Sequence, residues 1–223
     1  MSAPLDHDTR RAVERIVDAL SAEFATDFDR AQVEEVVDDS VRRLLATARV
    51  YDFLPLMVSR FSRERLRALR RATEHDRRVA VERERAGDWA VVYVSLSGGG
   101  RGQIAAALTT RLSHGQVSVH AAGTAVRAEI DPGVRTVISE MGMDPADAFA
   151  RPVTDDVLRG ADVIVTMGHS VGLIELPQEV RREDWRVGDP IGAPIDEVRR
   201  VGADIEYRVR ALLGELDVRA AAG

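Results

Sequence analysis

The architecture this sequence predicts is α/β: a four-stranded parallel sheet flanked by helices, preceded by an N-terminal three-helix domain. Three observations lead there. Residues 90–94 (AVVYV) and 161–167 (ADVIVTM) are short, nearly continuous apolar runs, as expected of strands buried on both faces. The first runs into a turn with Gly98, Gly99, Gly100 and Gly102 and the second into Gly168, and stretches with apolar residues at helical spacing lie between the strands, so strands and helices alternate. The first 70 or so residues carry the helical period alone.

The 223 residues, 45% hydrophobic and 30% charged, suffice for one large domain or two small ones. No apolar run approaches the ~20 residues a membrane span needs. The start has no basic-then-apolar signal pattern, so a cytoplasmic protein with no membrane partner is expected. Cysteine is absent, which excludes disulfides, thiolate metal sites and thiol catalysis by these residues. All 31 basic residues are arginine, so the mere presence of an arginine says little. The net charge of −6 gives no general pull toward nucleic acid. Five scattered histidines suggest no metal site, and no cofactor is expected.

Residues 8–25 read as a helix with Val13, Ile16, Val17, Leu20 and Phe24 on one stripe and Asp8 as its cap. Asp29 with Gln32 three residues on is a capping-box variant that opens a second helix, striped by Val33, Val36, Val37, Val41, Leu44, Leu45 and Ala48. Pro55 is placed to begin a third, with Met57, Val58, Phe61, Leu66 and Leu69 as its apolar positions. These helices define a domain over residues 1–72. They bury too little surface to be strongly stable alone, so they should pack on something else. A second copy of the chain is the simplest candidate, giving a homodimer. Between Arg63 and Arg85 nine arginines face five acidic residues. Mixed signs without interleaved aromatic residues point to a solvated helix and linker, not a nucleic-acid face. Residues 73–87 are taken as a charged linker and 88–223 as the α/β domain.

Within that domain, residues 116–121 read as a strand closed by Gly123, and Asp131 or Pro132 opens a helix ended by Gly142. Thr154 caps a short helix, 184–187 form a last short strand, Asp189-Pro190 is a rigid turn and 194–216 the closing helix. The working edge of a parallel sheet lies at the C-terminal ends of its strands, where Ser95, Met167 and Asp189 fall.

The chain is organised around Trp89 to Leu112, where Ser95, Leu96, Ser97, Gly98, Gly99, Gly100, Arg101 and Gly102 join a buried strand to a helix. Glycines allow a tight turn with N–H groups pointing inward, and the helix start adds partial positive charge, so the place suits an anion. Arg101 stands where a guanidinium closes over that anion bidentately. Plain turn chemistry is the competing reading of the same glycines. The Lys-Ser/Thr ending of a nucleotide P-loop is missing, and Gln103 falls where the last glycine of G-x-G-x-x-G belongs.

Six landmarks in order then resemble the low-molecular-weight protein tyrosine phosphatases and the arsenate reductases that share their fold: the V-V-Y-V strand, Arg101 six residues after Ser95, Ala122-Gly123, Arg151-Pro152-Val153-Thr154, V-I-V-T-M-G at 163–168, and Asp184-Trp185 leading into Asp189-Pro190. The resemblance runs from about Trp89 to Leu216. The N-terminal helices are similar to the three-helix dimerisation module of some actinobacterial-type arsenate reductases. In that family a cysteine thiolate attacks phosphorus or arsenic while amides and an arginine hold the oxyanion. By this resemblance Ser95 occupies the cysteine position, Arg101 that of the arginine and Asp189 that of the general acid. The family's loop-ordering asparagine falls on Gly98, its thiolate-stabilising hydroxyl on Gly102, and the reductases' later cysteines on His169 and Leu173.

These departures change the chemistry. A thiolate is populated near neutral pH, whereas a serine hydroxyl needs a base in contact with it. Arsenate reduction also takes two electrons from sulfur that these residues do not carry. The first expectation is therefore a repurposed dimer that keeps an anion pocket, formed by 96–102 with His169 nearby, for phosphate, arsenate or an anionic metabolite. The alternatives are a phosphatase-type hydrolase with Ser95 as nucleophile, Arg101 as clamp and Asp189 as proton donor, and a reductase relying on external small thiols. His120, Trp89 and Trp185 read as packing residues.

Overall fold

A computed structural model describes residues 6–47, 53–78, 89–126, 129–168 and 174–216. Three helices come first: α1 (His7–Glu23), α2 (Arg30–Thr47) and α3 (Leu54–Arg78). The cap of α1 is Asp6, whose carboxylate accepts the Thr9 amide at 2.7 Å; Asp8 lies in the first turn, where its charge meets the helix dipole. At the start of α2 the capping box closes reciprocally, Asp29 N to Gln32 Oε1 and Gln32 N to Asp29 Oδ1, both 2.9 Å. Helix α3 runs on to Arg78, so residues 73–78 are helical where a linker was expected; residues 79–88 lie outside the described part.

Strands β1 (Ala90–Ser95), β2 (Ser118–Gly123), β3 (Val163–Met167) and β4 (Arg181–Asp184) form one parallel sheet in the order β2-β1-β3-β4. Between and after them come α4 (Arg101–Leu112), α5 (Pro132–Glu140), α6 (Asp155–Arg159) and α7 (Ile195–Glu215). Two strands are displaced from their expected positions. β2 starts at Ser118 because Gln116 is still in the turn that ends α4, its amide bonded to Ser113 O at 3.0 Å. β4 pairs with β3 through the charged run Arg181–Asp184, with a last bond from Trp185 N to Thr166 O at 2.8 Å, so it lies mostly before the expected 184–187. Trp185 and Val187 are buried beyond the strand, where Val187 N bonds Trp185 O at 3.1 Å in a turn. Thr154 precedes α6 without capping it, since its buried hydroxyl has no hydrogen-bond partner.

Side chains alternate across β1. Val91 and Tyr93 join the core built with α4, α5 and α7, while Val92 and Val94 join a core on the opposite face with Val157, Leu158, Ala161 and Ile164. Among the described residues, the helix its own domain gives that second face is the five-residue α6, joined by Val153, Ile174, Leu176 and Val180, too little helix to cover a parallel sheet. α3 completes it. Ala68 belongs to the same core, and α3 lies so close to α6 that a Cβ on Gly160 would stand 2.5 Å from Ala68 O. The helical bundle thus packs on the chain's own α/β domain. The face read as solvated is partly an interdomain seam: Arg65 is buried between Asp156 Oδ2 at 2.7 Å and Asp39 Oδ2 at 2.8 Å.

Candidate oxyanion site

β1 ends at Ser95, which is buried at the carboxyl edge of the sheet between Gly123 and Met167 of the neighbouring strands. The Gly98 amide donates to Ser95 Oγ at 3.3 Å and the Gly99 amide to Ser97 Oγ at 3.3 Å, so two hydroxyls fold the turn back on itself. Gly98 holds φ +68°. A Cβ there would stand 2.9 Å from Gly123 N, and only glycine meets both demands. Gly99 O accepts the Asp131 amide at 3.3 Å, and Gly100 lies against Ile191 and Pro190. Leu96 points outward, 44% exposed, at the rim.

α4 begins at Arg101, and its free first-turn amides face outward along the helix axis. The amides of Gly100, Arg101 and Gly102 have no acceptor among the described residues. The Arg101 guanidinium crosses the end of β3, resting where a Cβ on Gly168 would be 2.9 Å from Nη2. It donates through Nη1 to Val187 O at 3.2 Å and through Nη2 to Asp189 Oδ2 at 3.3 Å. Only 12% of its side chain is exposed, against 57% for Asp189, which also accepts the Ile191 amide at 3.2 Å. The remaining Arg101 donors are enough for a bidentate contact with an oxyanion.

Of the residues picked from sequence, Ser95, 96–102 and Asp189 converge on this edge, while His169 and Leu173 lie outside the described residues. No described side chain offers a general base to Ser95 Oγ, whose hydrogen bond is from the Gly98 amide. His120 is buried elsewhere, its Nδ1 3.6 Å from Glu64 Oε2. Trp185 packs on Tyr93 with ring centroids 5.6 Å apart. Among the described residues no group of His, Asp and Glu is placed to hold a metal ion, and no helix is long and apolar enough to cross a membrane.

Two residues have a part in the site that the sequence did not reveal. Gln103 is buried and donates from Nε2 to Gly98 O at 2.7 Å and to Phe149 O at 3.0 Å, tying the turn to a distant segment. Its signal was a glutamine three residues after the residue preceding the helix, a position from which side chains reach back over the turn. Asp131 caps α5 through Gly133 N at 2.8 Å and takes the Gly192 amide at 2.9 Å, joining both walls of the site.

The family described as low molecular weight phosphotyrosine protein phosphatase matches residues 90–221, and the protein-tyrosine-phosphatase-like N-terminal domain matches residues 13–70. A Halobacterium salinarum protein provisionally named an arsenate reductase is 31% identical over 131 residues, 56% of this chain and 91% of the relative. The thioredoxin-dependent arsenate reductase of Corynebacterium glutamicum superposes with a TM-score of 0.78 at 26% identity, covering 93% of this chain and 97% of its own. An arsenate reductase solved in the phosphate binding state aligns with a TM-score of 0.50 at 25% identity, over 57% of this chain and 98% of that one. With family matches over both parts and a matching fold, this cysteine-free chain belongs to the low molecular weight phosphotyrosine protein phosphatase and arsenate reductase family.

Proposed function

We propose that this protein binds a small oxyanion, phosphate, arsenate or an anionic metabolite, in the loop after β1, and that recognition has taken the place of thiol chemistry. One observation carries the reading. Three successive amides, of Gly100, Arg101 and Gly102, have no acceptor among the described residues at the start of a 12-residue helix, beside a guanidinium with donors to spare. A related arsenate reductase solved in a phosphate binding state supports the same use of the fold. Serine at the position of the family's cysteine, without a base on its hydroxyl among the described residues, favours binding over displacement.

The test is calorimetry with phosphate, arsenate and sulfate on the wild type and Arg101→Ala. Binding by the wild type that weakens about 10- to 100-fold in the variant is expected, the scale of a charge-assisted bidentate contact. Equal or absent binding in both proteins overturns the reading. Aryl phosphate hydrolysis abolished by Ser95→Ala would replace it with a serine-dependent hydrolase, and arsenite formation driven by an added small thiol with a thiol-assisted reductase.

A further inference from the structure

The oxyanion loop is rich in glycine, and its two internal side-chain contacts are both long, at 3.3 Å. Such a turn has much conformational entropy to lose when an anion arrives. Main-chain bonds hold its start, Ala125 N to Leu96 O at 2.7 Å, and its middle, Asp131 N to Gly99 O at 3.3 Å; a side-chain restraint on Gly98 is added from α4. Gln103 gives one Nε2 hydrogen to Gly98 O at 2.7 Å and the other to Phe149 O at 3.0 Å. Phe149 opens a strap, residues 149–153, that lies between the loop and the helical bundle.

On the loop side the strap is fixed to the end of β2. Gly123 N donates to Arg151 O at 2.9 Å, Val153 N to Gly123 O at 3.0 Å, and the Gly123 backbone presses on Gly98, since a Cβ on Gly123 would meet Gly98 N at 2.7 Å. On the bundle side Phe149 packs against the bundle core, and the Arg151 guanidinium stacks over its ring at 4.0 Å. Arg151 Nη1 contacts both carboxylate oxygens of Glu64 on α3, and its Nε donates to Ala121 O at 3.0 Å. A physical path therefore runs from α3 to the carbonyl of Gly98: the Glu64–Arg151 pair, the backbone of the strap from Arg151 to Phe149, and the two hydrogen bonds of Gln103.

We propose that the N-terminal bundle sets the shape of the oxyanion loop through this strap, with Gln103 as the positioning residue and Glu64 as its anchor on the bundle. Its consequence for affinity rests on the oxyanion-binding reading; its effect on loop order does not. A loop already held in place loses less freedom when it binds, so the bundle raises affinity without touching the anion. A pair serving only to dock the two domains would stabilise the fold and leave the loop's own order unchanged.

The experiment uses the full chain as wild type, Glu64→Gln, Gln103→Leu and the double variant. Amide hydrogen exchange over residues 97–103 is measured without anion, and phosphate affinity by calorimetry. Each single variant is expected to speed exchange in the loop, and to weaken phosphate binding, by about fivefold or more, the scale of one lost hydrogen bond. Because both act on one set of contacts in series, the double variant should be no worse than the stronger single. Loop exchange at the wild-type rate in both variants, or fully additive effects, overturns the proposal. Should Glu64→Gln fail to fold, Gln103→Leu, which keeps the Glu64–Arg151 pair, reads the loop from the other end. If the wild type binds no phosphate, the oxyanion reading falls, while the exchange rates still decide whether the bundle orders the loop.

Discussion

Gly98 combines φ +68° with backbone contact to Gly123, so any side chain there meets both an unfavourable torsion and a neighbour that cannot yield. Gly98→Ala is expected to cost about 1–3 kcal/mol in urea unfolding, and to lower phosphate affinity as the turn shifts. Unchanged stability would mean the turn does not hold this conformation. Residues of this kind were legible in the sequence as a tight turn between a buried strand and a helix, while the glycines alone read equally well as plain turn chemistry. Gln103 was hidden for a physical reason. Its partners are main-chain carbonyls of Gly98 and Phe149, and a carbonyl leaves no mark on residue identity. Asp131 was seen as a helix start, which it is, but its second oxygen bonds Gly192, 61 residues away.

Among the elements, α3 and the end of α6 meet backbone to backbone with no spare room. A methyl group at 160 would sit 2.5 Å from Ala68 O and 2.9 Å from its Cα. Gly160→Ala is expected to lift α3 from the sheet and to destabilise the protein by about 1–3 kcal/mol, the usual cost of overpacking. Faster hydrogen exchange concentrated in α3 and α6 would confirm the site of damage, and a wild-type denaturation midpoint would contradict it. The buried strands and the long helices were readable from apolar periodicity alone. β4 was misplaced because periodicity reports burial, whereas the ladder is formed by main-chain groups. Trp185 and Val187 are the buried residues, yet Arg181–Asp184 do the pairing. The first three helices were expected to pack on something, and within this chain α3 lies on the half-covered face of the sheet, which no local pattern displays.

At the scale of the whole molecule, the two domains meet through buried ion pairs as well as apolar contact, and this makes their union depend on pH. Burial pushes the Glu64 carboxyl up, but the Arg151 charge and the neighbouring His120 outweigh it and hold the group below its ordinary value of 4.5. Within the bundle Asp39 follows the same pattern, burial opposed by Arg43 and Arg65 and the outcome below 3.8, which bears on the bundle's own stability. In the unfolded chain these partners are gone. A carboxyl depressed by folding contributes stability that is present above its unfolded value and is lost as pH falls through the folded one. Wild type is therefore expected to exceed Glu64→Gln in stability at about pH 7, with the gap closing below about pH 4.5 as Glu64 takes up its proton. Urea midpoints across that range check it; a gap that stays constant down to about pH 3 would contradict the assignment.

The rims of the sheet carry one more consequence. On the β2 side the carboxyl end of the strand is already engaged, Ala121 O by Arg151 and both polar groups of Gly123 by residues 151 and 153. On the β4 side the outermost strand is Arg181, Arg182, Glu183 and Asp184, four charges in a row. A foreign strand seeking a template thus finds one border partly taken and the other hostile to an apolar guest, which works against fibril-like stacking at high concentration.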